Sequence, residues 1–209
     1  MTMRIIQTDA CIAEGLAALS IAEPRFAMAA AQAGPIPLRR REGGYEALLS
    51  AIVSQQISVA AAAGIWGRLK AAGAATPGGL RAMDEDALRA CGLSRPKVRY
   101  ARGLADADLD YAALVHMPDA EATAALTALP GIGQWTAEIY LMFSLGRSDV
   151  FASGDLALQE SARMLFGLED RPKPKAFAAM AADWAPWRAV AARVLWAWYH
   201  VAKGHEGIR

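Results

Sequence analysis

Hydrophobic positions recur at helical spacing along almost the whole chain, while the alternation typical of strands is scarce. Glycine and proline residues divide these stretches into segments of about helix length. The pattern predicts helices over residues 9–22, 24–33, 45–55, 59–72, 84–91, 97–105, 119–129, 133–145, 155–166, 175–183 and 187–201. One near-candidate for a strand, residues 3–7, is short and terminal, where we expect no useful pairing. The sequence therefore predicts an all-α fold.

The composition adds limits to this picture. The chain has 209 residues, of which 55% are hydrophobic and 21% charged, enough for a core in one compact unit or two small lobes. It has neither an apolar stretch near the roughly 20 residues of a membrane span nor the apolar core of a secretory signal. We therefore expect a soluble, cytoplasmic protein with no membrane partner. Because the net charge is only +1, any binding of nucleic acid must rest on local geometry.

Cysteine usage excludes two further classes of protein. The two cysteines, Cys11 and Cys91, lie far apart in the sequence. They supply neither a disulfide framework nor a four-cysteine metal site.

The most informative segment is residues 129–137, LPGIGQWTA, which joins a helix ending near Leu129 to one beginning near Gly133. Gly131 and Gly133 allow a sharp turn and present bare backbone amides where the second helix opens. Unpaired N–H groups and the positive end of a helix dipole attract an anion such as a DNA phosphate. A lone G-x-G, however, is more often an ordinary turn between helices.

The full string Leu-Pro-Gly-Ile-Gly-x-x-Thr-Ala resembles the helix-hairpin-helix element of the DNA glycosylase superfamily, which includes endonuclease III and the adenine mismatch glycosylases. The resemblance implies that the amides of Gly131, Gly133 and Thr136 hold a DNA phosphate. It also implies a structural monovalent cation, Na⁺ or K⁺, bridged by the carbonyls of Thr127, Leu129 and Gly131. No other cofactor is expected.

Position 135 separates the branches of that superfamily. Bifunctional members carry a lysine there, which forms a Schiff base, and an indole cannot be that nucleophile. Since no cysteine follows Cys91, the iron–sulfur cluster of endonuclease III is not expected either. What remains resembles the 3-methyladenine DNA glycosylase II branch, in which a tryptophan at the place of Trp135 lines the base pocket. The resemblance implies a monofunctional glycosylase of base excision repair that flips alkylated bases, of the 3-methyladenine and 7-methylguanine type, out of double-stranded DNA.

Asp155 follows a turn at Ser153–Gly154 and precedes a helical stretch, so taken alone it is best explained as an N-cap. The superfamily needs one aspartate about this far after the hairpin, and Asp149 comes too early. The resemblance therefore implies that Asp155 is the catalytic carboxylate. Cleaving an N-glycosidic bond builds positive charge on the sugar, which a fixed carboxylate stabilises while it orients or deprotonates water.

Four of the six tryptophans crowd into the last helical region: Trp184, Trp187, Trp196 and Trp198. Helical spacing puts Trp187 and Trp198 on one apolar face, which predicts core positions. Trp196 lies on another side of the helix. The resemblance makes Trp135 and Trp196 the pair of aromatic residues that contact the flipped base, where cation–π attraction favours an alkylated base. Tyr140 is a weaker candidate for the same pocket.

Two further stretches resemble the family. Residues 52–59, IVSQQISV, match the loop that inserts a side chain into the gap left by a flipped nucleotide. Gln56 matches the inserted position and Ile57 follows it, although the better-known member has an aliphatic residue there. Residues 91–99 match a basic loop whose Lys97 and Arg99 are implied DNA contacts. A capped turn and a solvated basic turn are equally compatible with these two stretches.

The resemblance covers roughly residues 45–200 and implies two helical lobes, 44–147 and 1–43 joined with 148–209, with the DNA-facing cleft between them. We expect a monomer. Two other functions stay open. A non-catalytic helix-hairpin-helix DNA-binding protein needs neither Asp155 nor a tryptophan pocket, and a glycosylase for oxidised or mismatched bases reads neutral bases by hydrogen bonds. Trp135 argues against both. The sequence does not rank 3-methyladenine, 7-methylguanine, 1-methyladenine and hypoxanthine as substrates.

Overall fold

The computed structural model describes residues 4–107 and 109–204, and every regular element within these ranges is a helix. The all-α prediction is confirmed. The α-helices, in chain order, are α1 Asp9–Ala22, α2 Arg25–Ala33, α3 Tyr45–Ser54, α4 Val59–Ala71, α5 Pro77–Ala82, α6 Glu85–Ala90, α7 Arg95–Asp106, α8 Tyr111–His116, α9 Asp119–Thr127, α10 Gln134–Phe143, α11 Leu156–Phe166, α12 Pro174–Met180 and α13 Arg188–Lys203. A 3-10 helix, Ala181–Trp184, precedes α13.

Two six-residue helices, α5 and α8, are not predicted by the sequence pattern. The Thr76 hydroxyl caps α5 by accepting the N–H of Gly79 at 3.1 Å. A Cβ built on Gly79 would lie 1.8 Å from the Gly73 carbonyl oxygen, so a glycine that resembles a helix breaker is required by close packing. Asp110 caps α8 by accepting two backbone N–H groups, both at 2.9 Å. Side-chain caps stabilise helices too short for periodicity to reveal.

The N-terminal segment finds a partner that the sequence does not indicate. Ile5 forms an isolated antiparallel bridge with Arg147, and the Ile6 N–H donates to the Gly146 carbonyl at 2.7 Å. Ile6 is completely buried. The expectation that residues 3–7 have no pairing partner is therefore wrong for the described residues 4–7, while residue 3 lies outside them. The sequence pattern misses this pairing because the partner residues, Gly146 and Arg147, lie in a turn far away along the chain.

Contacts between Cα atoms divide the chain into two compact units. Unit 1 consists of residues 1–40 and 141–209, and unit 2 consists of residues 41–140. Helix α10 contributes residues to both units. The predicted lobe 44–147 begins three residues and ends seven residues later than unit 2.

Unit 1 has an aromatic core. Helix α13 packs against α1, α2 and α11. The Trp184 ring lies 5.1 Å from Phe26 between centroids, in the edge-to-face geometry that aromatic rings favour. Phe151, Phe166 and Phe177 complete the cluster around Trp184. As expected from helical spacing, Trp187 and Trp198 are buried as well. They occupy core positions, and Trp196 on α13 is buried to a similar extent.

Unit 2 is organised around α7, which packs against α3, α5 and α6. Its core is aliphatic and includes Leu48, Leu49, Ile52, Leu69, Leu80, Leu88, Val98 and Leu104. The Arg81 guanidinium donates to the carbonyl of Ala105 near the end of α7. A cation at a helix C-terminus bonds carbonyls that the helix itself leaves without a donor, and it is favoured by the helix dipole.

Candidate functional site

The hairpin between α9 and α10 is shaped by two glycines with different roles. Gly131 has a φ of +83°, and a Cβ built there would lie 2.4 Å from the Tyr100 Cγ. The Ile132 N–H closes the turn by donating to the Leu129 carbonyl at 3.1 Å. By contrast, no described atom lies within 4 Å of a Cβ built on Gly133. Gly131 therefore makes the turn possible, whereas Gly133 leaves space in front of the backbone.

The hairpin opens α10, a helix of ten residues. The Gly133 carbonyl accepts the N–H of Ala137 at 3.0 Å, which is the first bond of the helical ladder. N–H groups that precede this bond have no acceptor inside the helix, and the helix dipole adds positive potential there. The amides of Gly133 and Thr136 belong to this first turn. Together with the open space at Gly133, they have the chemistry of a phosphate site.

The residues whose carbonyls are expected to bind a cation line one open pocket. Thr127, Leu129 and Gly131 line it, together with Gln55 and Tyr100, and its volume is about 480 Å³. The Gln55 side-chain amide donates to the Gly131 carbonyl at 2.8 Å. A carbonyl oxygen has two lone pairs, so this bond leaves it able to bind an ion. Oxygen donors suit hard cations. The residues present therefore fit Na⁺ or K⁺.

Residues 55–58, between α3 and α4, form a tight turn that we term the wedge loop. Gln56 has a φ of +56°, in the left-handed region that residues other than glycine seldom adopt. Its side chain is exposed, and Ile57 is 38% exposed. Ser58 caps α4 by accepting the N–H of Ala61 at 3.2 Å. The predicted insertion residues thus lie at the surface, on a loop that also contains the ordinary cap.

The two predicted cations, Lys97 and Arg99, are placed differently. The Lys97 ammonium donates to the carbonyls of Val53 and Gln55, both at 2.7 Å. Burial lowers the pKa of Lys97. Arg99 is exposed. Lys97 therefore supports the wedge loop through its backbone, and of the two cations Arg99 is the one at the surface for a phosphate.

Two aromatic residues of α10 differ in environment. Trp135 is 44% exposed, whereas Tyr140 is 5% exposed. The Tyr140 hydroxyl accepts the N–H of Gly44 at 2.8 Å, and burial raises the pKa of Tyr140. Five residues along a helix correspond to about 140° around its axis, so these side chains point in different directions. This placement favours a packing role at the start of α3 for Tyr140, rather than the pocket role expected from the sequence.

Sequence reasoning misses a buried carboxyl on the same helix. Glu138 is 8% exposed, and its carboxyl accepts the Gln134 side-chain amide at 2.8 Å. Burial raises the pKa of Glu138. The available signal is an acidic residue inside the apolar stretch of α10, one turn beyond Trp135.

Asp155 is both a helix cap and part of a buried cluster. Its Oδ1 accepts the N–H of Leu158 at 2.9 Å and the indole N–H of Trp196 at 3.2 Å. The residue is 7% exposed, as is Trp196. The cap predicted from sequence is therefore present, and the same oxygen is held by a second donor from α13. The structure brings Asp155 and Trp196 together, although Trp196 presents its N–H to the carboxylate.

Trp196 packs against a row of side chains, Phe143 and Arg193, that the sequence pattern does not reveal. The Trp196 ring lies 5.8 Å from Phe143 between centroids, and the Arg193 guanidinium lies 4.6 Å from the Phe143 centroid. Arg193 is almost completely buried and donates to the carbonyls of Leu38, Ala189 and Met142. Burial lowers the pKa of Arg193 to about 10. Its partners come from three separate parts of the chain, so no spacing in the sequence marks them.

Two further features hold for the described residues. No helix in the described ranges is long and apolar enough to cross a membrane. In the same ranges, no group of three or more His, Cys, Asp or Glu side chains is arranged to hold a metal ion.

Comparison with known proteins finds relatives by sequence. DNA-3-methyladenine glycosylase 1 of Schizosaccharomyces pombe is 34% identical over 161 residues, which cover 73% of this chain and 71% of the relative. A putative DNA-3-methyladenine glycosylase of Bacillus subtilis is 34% identical over 118 residues, or 54% of this chain and 41% of the relative.

Solved structures give a similar result. A DNA-3-methyladenine glycosidase from Bacillus halodurans has a TM-score of 0.79 at 32% identity, covering 94% of this chain and 91% of that one. The Schizosaccharomyces pombe 3-methyladenine DNA glycosylase in complex with abasic DNA has a TM-score of 0.74 at 30% identity, covering 88% of this chain and 95% of that one. The profile of the HhH-GPD superfamily base excision DNA repair proteins matches residues 49–186. The chain therefore belongs to the HhH-GPD superfamily of base excision DNA repair proteins.

Proposed function

We propose that this protein is a monofunctional DNA glycosylase of base excision repair that hydrolyses the N-glycosidic bond of alkylated bases in double-stranded DNA. Its relatives by sequence and by structure carry the name DNA-3-methyladenine glycosylase or glycosidase. One of them is described in complex with abasic DNA, the product of such a reaction. The substrate class is therefore alkylated bases of the 3-methyladenine and 7-methylguanine type.

The observation that carries the proposal is the setting of Asp155. Its carboxylate oxygen is held by a helix N–H and an indole N–H, and it lies almost fully buried. Donors fixed in advance keep the carboxylate in one orientation without reorganisation during the reaction. A carboxylate so held is suited to stabilise a cation that forms beside it.

The chemistry needs one carboxylate and one water molecule. As the N-glycosidic bond breaks, its electron pair goes to the base nitrogen and neutralises the positive charge of the alkylated base. The sugar becomes oxocarbenium-like, and Asp155 stabilises that charge. Water adds to the sugar carbon and its proton passes to Asp155. Because the alkylated base leaves readily, no general acid is required.

Trp135 supports the monofunctional assignment. Strand cleavage through a Schiff base needs an amine nucleophile, and an indole cannot supply one. With 44% of its surface exposed, Trp135 presents a ring on which a cationic base can stack, with an expected cation–π gain of about 0.5–2 kcal/mol. The product is therefore an abasic site in an intact strand.

DNA is held, in this proposal, by the hairpin and by Arg99. Gly131, Gly133 and Thr136 offer amides to one phosphate. The carbonyls of Thr127, Leu129 and Gly131 would hold a monovalent cation, which would supply positive charge at the turn. Gln56 and Ile57 fill the gap left by the flipped base. Binding of DNA through these local contacts needs no large net charge, in agreement with the formal charge of +1.

The test is base release from methylated duplex DNA by the wild-type protein and by Asp155→Asn. An asparagine oxygen still accepts the N–H groups of Leu158 and Trp196, so the helix cap survives. We expect the single-turnover excision rate to fall by about 10²–10⁴-fold, as for loss of general-base and electrostatic catalysis. Asp170→Asn, at an exposed acidic residue, serves as the matched control.

Equal release by wild type and Asp155→Asn would overturn the catalytic role of Asp155. No release by the wild type, with DNA binding intact, would favour a non-catalytic DNA-binding protein. Borohydride trapping of a protein–DNA adduct would contradict the monofunctional assignment. Release of oxidised or mismatched bases in preference to methylated ones would point to the other glycosylase class.

A further inference from the structure

The wedge loop leaves α3 through a backbone that Lys97 holds. Gln55 ends the helix with φ −59° and ψ 131°, and the next residue, Gln56, has a φ of +56°. A left-handed residue other than glycine persists only where its surroundings hold it. The Lys97 ammonium bonds the carbonyls of Val53 and Gln55 at 2.7 Å each, on the side of the turn where the helix lacks donors.

The same side of α7 holds the hairpin. Lys97, Tyr100 and Gly103 are spaced by three residues, so they are neighbours along the helix surface. The Tyr100 ring lies so close to Gly131 that a Cβ there would be 2.4 Å from its Cγ. A Cβ on Gly103 would lie 3.2 Å from the Pro130 ring. Helix α7 thus supports the hairpin with two residues and the wedge loop with a third.

A direct bond joins the two supported segments. The Gln55 side-chain amide donates to the Gly131 carbonyl at 2.8 Å. Helix α7, the hairpin and the wedge loop therefore each contact the other two, and all three belong to unit 2. If one of these three contacts is removed, the other two still restrain the wedge loop, but the loop moves more.

We propose that Lys97 is a positioning residue that presents Gln56 and Ile57 at a fixed place relative to the phosphate-binding hairpin. The proposal rests on the proposed function, because it takes the loop to be the segment inserted into DNA. Inserting a side chain beside a flipped base needs the loop at a fixed distance from the segment that binds the DNA phosphate. Lys97 and Gln55 set that separation, while Lys97 itself binds no phosphate.

The first experiment compares Lys97→Met with Arg99→Met, which removes the exposed neighbouring cation. Log affinity for undamaged duplex against log salt has a slope that changes by about 0.9 for each phosphate that the protein no longer neutralises. We expect Arg99→Met to flatten the slope by about 0.9 and Lys97→Met to leave it unchanged. Flattening by Lys97→Met would overturn the proposal in favour of direct phosphate binding by Lys97.

The second experiment measures flipping and excision. Lys97→Met should reduce the single-turnover excision rate by about tenfold or more, the scale of losing hydrogen bonds from a charged donor. The 2-aminopurine fluorescence that reports flipping beside the lesion should fall in parallel. Lys70→Met, an exposed lysine of the same unit, is the control expected to match wild type. A wild-type rate for Lys97→Met would overturn the proposal.

Hydrogen exchange in the free protein needs neither DNA nor catalysis. Lys97→Met should speed exchange of the Gln55 amide, which donates to the Ile52 carbonyl, and of the Ala61 and Ala62 amides, which donate to Ser58. Unchanged exchange at these amides would overturn the proposal. If the wild-type protein released no methylated base, the proposed function would fail, and this measurement would still decide whether Lys97 holds the loop. If Lys97→Met does not fold, Gln55→Met replaces it, with the same expected loss of flipping and faster loop exchange.

Discussion

Asp155 Oδ1 accepts one N–H from its own helix and another from an indole more than forty positions away in the sequence. The first bond is local and makes Asp155 an N-cap. The second depends on α13 packing against α11. A residue can therefore be a helix cap and the proposed catalytic carboxylate at once, because both roles use an oxygen that is held in one orientation.

Replacement of Trp196 by phenylalanine tests the second bond. Trp196→Phe removes the N–H donor to Asp155 and keeps an aromatic ring beside Phe143. Because a hydrogen bond to a charged group contributes roughly 1.5–3 kcal/mol, we expect the single-turnover excision rate to fall about tenfold or more. The rate is measured with methylated duplex DNA at saturating protein.

Trp198→Phe is the matched control for that variant. Trp198 lies on the same helix, is buried to a similar extent, and donates its indole N–H to the Gln32 side chain at 2.7 Å. Its replacement should lower the melting temperature and leave the excision rate near wild type. Equal rate losses in the two variants would show that Trp196 acts only through stability.

The two ends of helix α10 carry groups of different charge. Its N-terminus carries the hairpin amides and Trp135, and Glu138 lies one turn further on. At its C-terminal end the carbonyls of Met142 and Phe143 accept hydrogen bonds from Arg193 and Arg40. Two cations there complement the negative end of the helix dipole. Charge arrangement along α10 therefore leaves its N-terminus as the end that attracts anions.

The two hairpin glycines allow a prediction about the helix-hairpin-helix element formed by α9 and α10. Gly131→Ala places a Cβ against Tyr100 at a positive φ, and should lose about 1–3 kcal/mol of unfolding free energy. Gly133→Ala meets open space, and should lose less than about 1 kcal/mol but weaken DNA binding, because its methyl group lies in front of the amides. Thermal melts and fluorescence anisotropy with duplex DNA measure the two effects.

If Gly133→Ala kept full affinity for DNA, the phosphate would not approach the hairpin at that amide. If Gly131→Ala were as stable as Gly133→Ala, the positive φ would not be maintained in solution.

Stability of the whole molecule should depend on the ionisation of Glu138. Burial raises the folded-state pKa of Glu138 above its ordinary 4.5, so the carboxyl favours its protonated form in the folded protein. The folded state then binds more protons than the unfolded state, and stability is lost as pH rises from about 4.5 through the raised pKa. Glu138→Gln does not titrate and retains an oxygen for the Gln134 amide.

We therefore expect Glu138→Gln and wild type to have similar melting temperatures at pH 4, and the variant to melt at the higher temperature at pH 7.5. Differential scanning calorimetry across this range measures the difference. A constant offset between the two proteins at all pH values would contradict the linkage to Glu138.

Much of the architecture was accessible from the sequence, for reasons visible in particular elements. The pattern predicts α1 over residues 9–22, which are its bounds in the structure. Long amphipathic helices such as α7, predicted over residues 97–105 and found at Arg95–Asp106, are marked by local periodicity. Six residues carry little periodicity: of the three described six-residue helices, the pattern predicts α6 and misses α8 and α5, whose first residues Pro77, Gly78 and Gly79 resemble a loop. The bridge between Ile5 and Arg147 escapes because its two sides are far apart in the chain.

The candidate site divides in the same way. The hairpin, the cap at Asp155 and the tryptophan at position 135 can be identified from sequence, because each depends on neighbouring residues and on a resemblance in local motif. Tertiary packing was needed to show that Trp196 bonds Asp155, that Tyr140 bonds Gly44 at the start of α3, that Glu138 is buried and that Lys97 holds the wedge loop. Those outcomes depend on which helices pack together, and packing between distant segments leaves no periodic mark on the chain.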